Sequence, residues 1–244
     1  MELLKATALT KKAASQDRKA PFSVLVYGGS SVGKSNFTKQ LFYSFGKTFD
    51  LPTSAEYRYV RNPNDDFWSG FNTSQWCIQL DDIAYQNPQK ALQGDPTVLE
   101  MLQVVNNVPF VPNQADLADK GRTPVRAELV VATSNSETLN AHAYFNCPLA
   151  VQRRLPYVFE IAPKEEYKKD SVFLNSESLP VLEKDGEVWD YWIIKVKKVV
   201  PAGDSILNQR VHLEVVHTYD NIYDFLQWFN KTAFEYRQLQ AQLS

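Results

Sequence analysis

Cysteine is scarce in this chain. Among 244 residues there are two, Cys77 and Cys147, and their spacing suggests no zinc site but fits a reducing, intracellular compartment. Three histidines, His142, His212 and His217, also lack partners at metal-ligand spacing and read as structural. No run of about 18 apolar residues occurs, so no segment is expected to span a membrane. The polar start of the chain, without an apolar centre, does not read as a signal peptide. An excess of either charge is missing too: 26 basic against 28 acidic residues leave a net charge of −2. No global basic field draws nucleic acid, and any such binding must come from a local patch. Internal repeats and low-complexity segments are absent. With 44% hydrophobic and 22% charged residues, the composition is that of a soluble globular protein with a sizeable core. One large domain, or one domain with a small extension, is expected.

What is present centres on one stretch, Gly28-Gly29-Ser30-Ser31-Val32-Gly33-Lys34-Ser35, which fits the phosphate-loop pattern G-x-x-x-x-G-K-[ST]. Phe22, Val24, Leu25 and Val26 read as a buried strand entering it, and residues 36–45 as the helix leaving it. Glycines let successive N–H groups turn inward on a phosphate at a helix N-terminus that already favours anions. The expected nucleotide-binding residues are Gly28 through Ser35 with Asn36. Lys34 is expected to reach the β- and γ-phosphates, and Ser35 to hold Mg2+. This reads as a site for ATP with Mg2+.

Residues 1–20 carry Lys5, Lys11, Lys12, Arg18 and Lys19 against Glu2 and Asp17, and read as a solvated leader with a turn or two of helix. Downstream of the loop, residues 56–60 alternate as a strand does, and residues 66–71 form an aromatic loop. Residues 76–80 read as a third strand, which ends in Asp81-Asp82. Two carboxylates closing a buried strand need a reason, because unpaired buried charge is costly. After a phosphate loop the reason is a Walker B pair: Asp81 for the Mg2+ shell, Asp82 to orient or deprotonate the attacking water. Residues 96–105 show helical spacing, and residues 128–133 read as a fourth buried strand ending near Asn135. That amide suits either γ-phosphate sensing or a turn. Arg153-Arg154 precede a fifth strand, residues 157–161, and suit either a solvated face or arginine fingers for a neighbouring subunit.

Composition shifts after Pro163. Lys184-Asp185-Gly186 signals a turn, and residues 189–200 are expected to pair with 211–216 as a small β-rich subdomain. Asp220 reads as the N-cap of a final helix whose apolar stripe contains Ile222, Phe225, Leu226 and Phe229. Trp228, Phe234 and Tyr236 fall on other faces, which points to a second contact, with Leu239 and Leu243 as candidate anchors in a neighbouring subunit. The expected organisation is a leader (1–20), a phosphate-loop core (21–163), a β-rich subdomain (164–219) and an oligomerisation helix (220–244).

Strands alternating with helices, with the phosphate loop after the first, predict a three-layer α/β sheet. The order of Gly28–Ser35, Leu80-Asp81-Asp82, Leu117 with Lys120-Gly121, Ala132-Thr133-Ser134-Asn135 and Arg153-Arg154 resembles a superfamily 3 helicase of the AAA+ group. It is most similar to the 2C-type ATPases of picornaviruses and picorna-like RNA viruses, over residues 21–161. The resemblance implies a P-loop NTPase fold and an ATPase with RNA helicase-like activity in viral RNA replication, assembled as a ring of six copies. ATP would lie between subunits, with Arg153 and Arg154 arriving from the neighbour. Residues 106–122 would supply pore loops, where Lys120 and Arg122 meet single-stranded RNA. It also implies other viral replication proteins as partners and a location in the host cell cytoplasm at replication membranes, with membrane association through a segment outside this chain. Two features depart from the picornaviral pattern: no cysteine follows Cys147 to build their zinc site, and residues 1–20 match their amphipathic helix poorly. A nucleotide kinase or AAA+ remodeller, or a scaffold for RNA, membrane or viral partners, are the competing readings.

Overall fold

The computed structural model describes residues 1–5, 8–9, 15–169, 173–175, 188–203 and 210–243. The turn expected at residues 184–186 lies outside them. Strands β1 (Phe22–Tyr27), β3 (Cys77–Leu80) and β4 (Leu129–Ser134) are buried almost end to end. Such continuous apolar runs suit parallel strands covered on both faces. The central sheet has the order β2-β3-β4-β1-β5-β8-β9, where β2 is Arg58–Arg61 and β5 is Tyr157–Pro163. These five first strands run parallel. β8 (Trp192–Pro201) then pairs antiparallel with β5, and β9 (Val211–Tyr219) antiparallel with β8. A separate short pair joins β6 (Lys168–Lys169) to β7 (Phe173–Leu174).

Side-chain alternation along the strands splits the core in two. Val24, Val26, Phe159 and Ile161 face one layer, formed by helices α1 (Lys34–Thr48) and α5 (Ile222–Leu243). Leu25, Ile78, Val130 and Val158 face the other, built on α2 (Pro96–Val104). Two short helices, α3 (Ala141–Tyr144) and α4 (Pro148–Gln152), connect β4 to β5. This is the expected three-layer α/β fold. β8 and β9 continue its sheet, so the hydrogen bonding runs unbroken past residue 163 and the hairpin is no separate sheet.

The α1–α5 layer is aromatic. Phe22 meets Phe229 with ring centroids 5.7 Å apart, Phe37 meets Trp192 at 5.3 Å, and Phe159 meets Phe225 at 5.0 Å. Two of the aromatics expected to mark a second contact pack on their own chain instead. Trp228 lies against Tyr157, and the Tyr236 hydroxyl donates to the Ala20 carbonyl at 3.1 Å. Phe234, Leu239 and Leu243 are exposed.

The N-cap of α5 is Asn221, not Asp220. Asn221 Oδ1 accepts from the Tyr223 and Asp224 N–H groups at 2.8 and 3.3 Å. A cap oxygen reaches the second and third helical N–H groups only from the residue just before the helix, and Asp220 stands one residue too early. Asp190 Oδ1 takes the remaining Ile222 N–H at 3.0 Å. Asn221→Ala is therefore expected to lower stability by about 1 kcal/mol, and Asp220→Ala by much less. Urea denaturation midpoints of the two variants check this order.

Candidate functional site

β1 delivers the chain from a fully buried strand into the loop at Gly28. Ser31 (φ 57°) and Gly33 (φ 89°) both adopt left-handed backbone, and α1 begins at Lys34. Gly33 caps the helix without any side-chain hydrogen bond, and its first turn holds no acidic residue. The first N–H groups are thus left for a ligand, where the helix dipole favours an anion.

Two distant groups hold the back of this loop. The Trp192 indole N–H donates to the Val32 carbonyl at 2.6 Å, and the Leu174 N–H donates to the Ser31 carbonyl at 2.9 Å. Trp192 is fully buried. A methyl group at Gly33 would lie 3.0 Å from the Leu174 side chain and 3.1 Å from the indole. Crowding and the positive φ together leave room for glycine alone.

At the front, the Lys34 ammonium donates to the Gly28 carbonyl at 2.7 Å and to Asn135 Oδ1 at 2.5 Å. Asn135 follows β4, next to β1 in the sheet. Burial pulls the Lys34 ammonium below its ordinary range, opposed by the charges of Asp82 and then Asp81. Phosphate loop, carboxylate pair and Asn135 therefore converge on one side chain.

The carboxylate pair is shaped by Thr133. Its hydroxyl donates to Asp81 Oδ1 at 3.0 Å and accepts the Asp82 N–H at 2.8 Å. Its carbonyl takes the Ile83 N–H at 2.9 Å, and the Ser134 hydroxyl donates to the Ile83 carbonyl at 2.7 Å. β4 thereby folds the end of β3 back, with Asp82 in a left-handed turn (φ 51°). Buried Gln79 also donates to Asp81 Oδ1, at 3.3 Å, while Arg58 donates to its Oε1 at 2.7 Å. Asp82 stays exposed, and its charge acts on Lys34. On the far side of β1, Lys197 bridges Glu137 and Glu160 at 2.7 and 3.3 Å, tying the segment after Asn135 to β5.

The remaining predicted residues lie elsewhere. Ser35 and Asn36 sit on the first turn of α1, the first exposed and the second half-buried. Arg153 and Arg154 precede β5, at the end of the strands opposite the phosphate loop, because β1 and β5 are parallel. Arg153 is exposed. Arg154 is committed within its own chain, donating to the Leu102 and Val105 carbonyls at 3.2 and 2.6 Å. Lys120 and Arg122 are exposed on the loop between α2 and β4. The sequence assigns no site role to Trp192, Leu174, Gln79 or Lys197, and Thr133 enters it only as part of the Ala132-Thr133-Ser134-Asn135 segment. Only Thr133 and Gln79, polar residues inside buried strands, carried a local signal.

A parallel α/β sheet with a glycine loop between β1 and α1, and carboxylates at the end of β3, has the architecture of P-loop NTPases. Residues 24–136 match the RNA helicase family. The chain is 32% identical over 153 residues, 63% of its length, to the genome polyprotein of Human rhinovirus A serotype 89 (strain 41467-Gallo). It is likewise 32% identical over 118 residues (48% of the chain) to the RNA1 polyprotein of Tomato ringspot virus (isolate raspberry), and over 128 residues (52%) to that of Grapevine chrome mosaic virus. These alignments span 6%, 5% and 5% of the respective polyproteins. The family match over residues 24–136 and the viral polyprotein relatives support a 2C-like helicase of superfamily 3. That relationship supports a helicase-like, nucleotide-hydrolysing role. Among the described residues, no helix is long and apolar enough to cross a membrane.

Thr133→Val keeps the side-chain shape but removes the hydroxyl between Asp81 and Asp82. Leaving the Asp82 N–H without its acceptor should cost about 1–3 kcal/mol. The urea denaturation midpoint reads this directly, and an unchanged midpoint would mean that another group holds the turn.

Proposed function

We propose that this chain is an ATPase of a ring-forming, superfamily 3 RNA helicase-like assembly in viral RNA replication, with the nucleotide bound between subunits. The reading rests on one observation above all. Lys34 Nζ is held between Gly28 and Asn135 while the charges of Asp81 and Asp82 act on it. A lysine so placed, at an uncapped helix N-terminus, suits a polyphosphate.

In this reading the N–H groups of residues 28–36 bind the phosphates and Lys34 exchanges its two oxygen partners for the β- and γ-phosphates. Asn135, released from Lys34, hydrogen-bonds the γ-phosphate. Asp82 orients the attacking water and accepts its proton. Hard oxygen donors from Ser35 and Asp81 fit Mg2+, which takes few protein ligands and keeps several waters. Bound there, Mg2+ would neutralise charge building on the phosphate oxygens.

Arg153 and Arg154 divide their work. Arg154 braces the end of α2 through two carbonyls, and exposed Arg153 serves as the finger for a second copy, since its own phosphate loop lies at the opposite end of the strands. Lys120 and Arg122 contact single-stranded RNA phosphates in the pore, and the exposed end of α5 joins neighbouring subunits. Other viral replication proteins are the partners, in the host cytoplasm and at replication membranes reached through a segment outside this chain.

A trans-acting arginine contributes about 10³-fold or more to the rate. Arg153→Ala and Lys34→Ala should each be nearly inactive alone. Mixed, they should recover part of the ATPase rate at interfaces that pair an intact loop with an intact Arg153. Two folded, assembling variants that show no rescue would overturn the shared site.

A further inference from the structure

Asn135 changes partners in the reaction proposed above, from the Lys34 ammonium to a terminal phosphate. Its side chain must be able to turn, so its aim rests on the backbone that carries it. β4 stops at Ser134, and Asn135 is the first residue beyond the sheet. The segment that follows is tied from two sides. Towards the carboxylate turn, the Ser136 N–H donates to Ser134 Oγ at 3.0 Å, and Asn140 Nδ2 donates to the Ala84 carbonyl at 3.4 Å. Towards β5, the tie is Glu137.

The Glu137 carboxylate accepts from the Lys197 ammonium at 2.7 Å, and a Glu160 oxygen lies 3.3 Å from the same nitrogen. Lys197 stands on β8 opposite Val158 of β5, two residues before Glu160. Val158 faces the α2 layer, and strand alternation puts Lys197 and Glu160 on that face too. The ammonium also lies 6.0 Å from the centre of the Tyr27 ring. Tyr27 ends β1 between Ser134 of β4 and Glu160 of β5, and leads directly into Gly28. One side chain therefore reaches from β8, past β5 and β1, to the segment after β4.

The Lys197 side chain is 13% exposed. Burial works against its charge, but the two carboxylates outweigh burial and raise its pKa above the ordinary lysine value. Without the ammonium, Glu137 and Glu160 become an unneutralised pair of like charges, which drives Glu137 away from β5. Asn135, two residues earlier, moves with it. Lys34 and the phosphate loop keep their own ties, through the Gly28, Ser31 and Val32 carbonyls. The displacement therefore falls on Asn135.

We propose that Lys197, held by Glu137 and Glu160, is a positioning residue that aims Asn135 at the terminal phosphate of a bound nucleotide. The inference rests on the phosphate-site reading above, and two probes separate their fates. ATPγS carries a group at the terminal phosphate position, whereas ADP does not. Both are titrated to equilibrium against the full chain with Mg2+. Lys197→Met keeps the aliphatic stem and removes the charge. It should weaken ATPγS about fivefold, the scale of one hydrogen bond, and leave ADP unchanged. Lys197→Arg should restore most of the ATPγS affinity. In an Asn135→Ala background, Lys197→Met should cost nothing further. Equal loss for both nucleotides would make Lys197 a support of the whole loop and overturn the assignment. Unchanged ATPγS affinity, or a full additional loss in the Asn135→Ala background, would overturn it as well. In each of these cases the phosphate-loop reading stands. A wild-type chain that binds neither nucleotide would overturn that reading, and the inference with it. Glu137→Gln leaves Lys197 paired with Glu160 and serves if Lys197→Met does not fold. It should show the same selective loss of ATPγS, and a folded Glu137→Gln chain without that loss would overturn the assignment.

Discussion

A loop that turns its N–H groups inward must turn carbonyl groups outward, and in a buried setting those carbonyls need donors. Here the Val32 and Ser31 carbonyls are met by the Trp192 indole and the Leu174 N–H. Both donors lie far along the chain, at the start of β8 and in the β6–β7 pair. The phosphate loop thus depends on segments that follow the β1–β5 core. The aromatic layer reinforces this dependence, since Trp192 also packs edge-on against Phe37 of α1, the helix that the loop opens. A division of the chain at residue 163 would separate the loop from the groups that hold it.

Helix α2 connects the two halves of the proposed chemistry. At its start, Asp95 accepts the Thr97 N–H at 2.9 Å, and the Thr97 hydroxyl accepts the Ala84 N–H at 2.9 Å, two residues past Asp82. At its end, Arg18 donates to the Gln103, Val104 and Val108 carbonyls at 2.7 to 2.9 Å. Arg154 covers Leu102 and Val105. Burial lowers the Arg18 guanidinium to about 10, with Arg126 adding to the effect. Two cations on the last carbonyls of a helix also match its dipole. One rigid element therefore touches both the carboxylate turn and the segment carrying Arg153.

Residues adjacent in sequence were legible from sequence. The strand, glycine loop and helix around Lys34 announce themselves within thirty residues, because the phosphate-loop chemistry is local. Asp81 and Asp82 were legible as charge at the end of an apolar run. Pairings between distant segments were not. β8 carries the strand pattern of residues 189–200, but nothing local says that it pairs with β5 rather than forming its own sheet. The indole of Trp192 looks like any core tryptophan until Val32 is placed beside it. Likewise Arg154 reads the same as Arg153, and only the end of α2 tells them apart. Asn221 displaces Asp220 as the cap by one residue, a distinction that depends on where the first helical turn begins.

The most direct test of this dependence is the ATP affinity of Trp192→Phe, measured by equilibrium titration beside a thermal melt. The substitution keeps an aromatic ring against Phe37 and removes only the donor to the Val32 carbonyl. One lost hydrogen bond is worth about 1 kcal/mol, so ATP should bind about fivefold more weakly to a variant that remains folded. Wild-type affinity in the folded variant would contradict the claim that the C-terminal strands shape the phosphate loop.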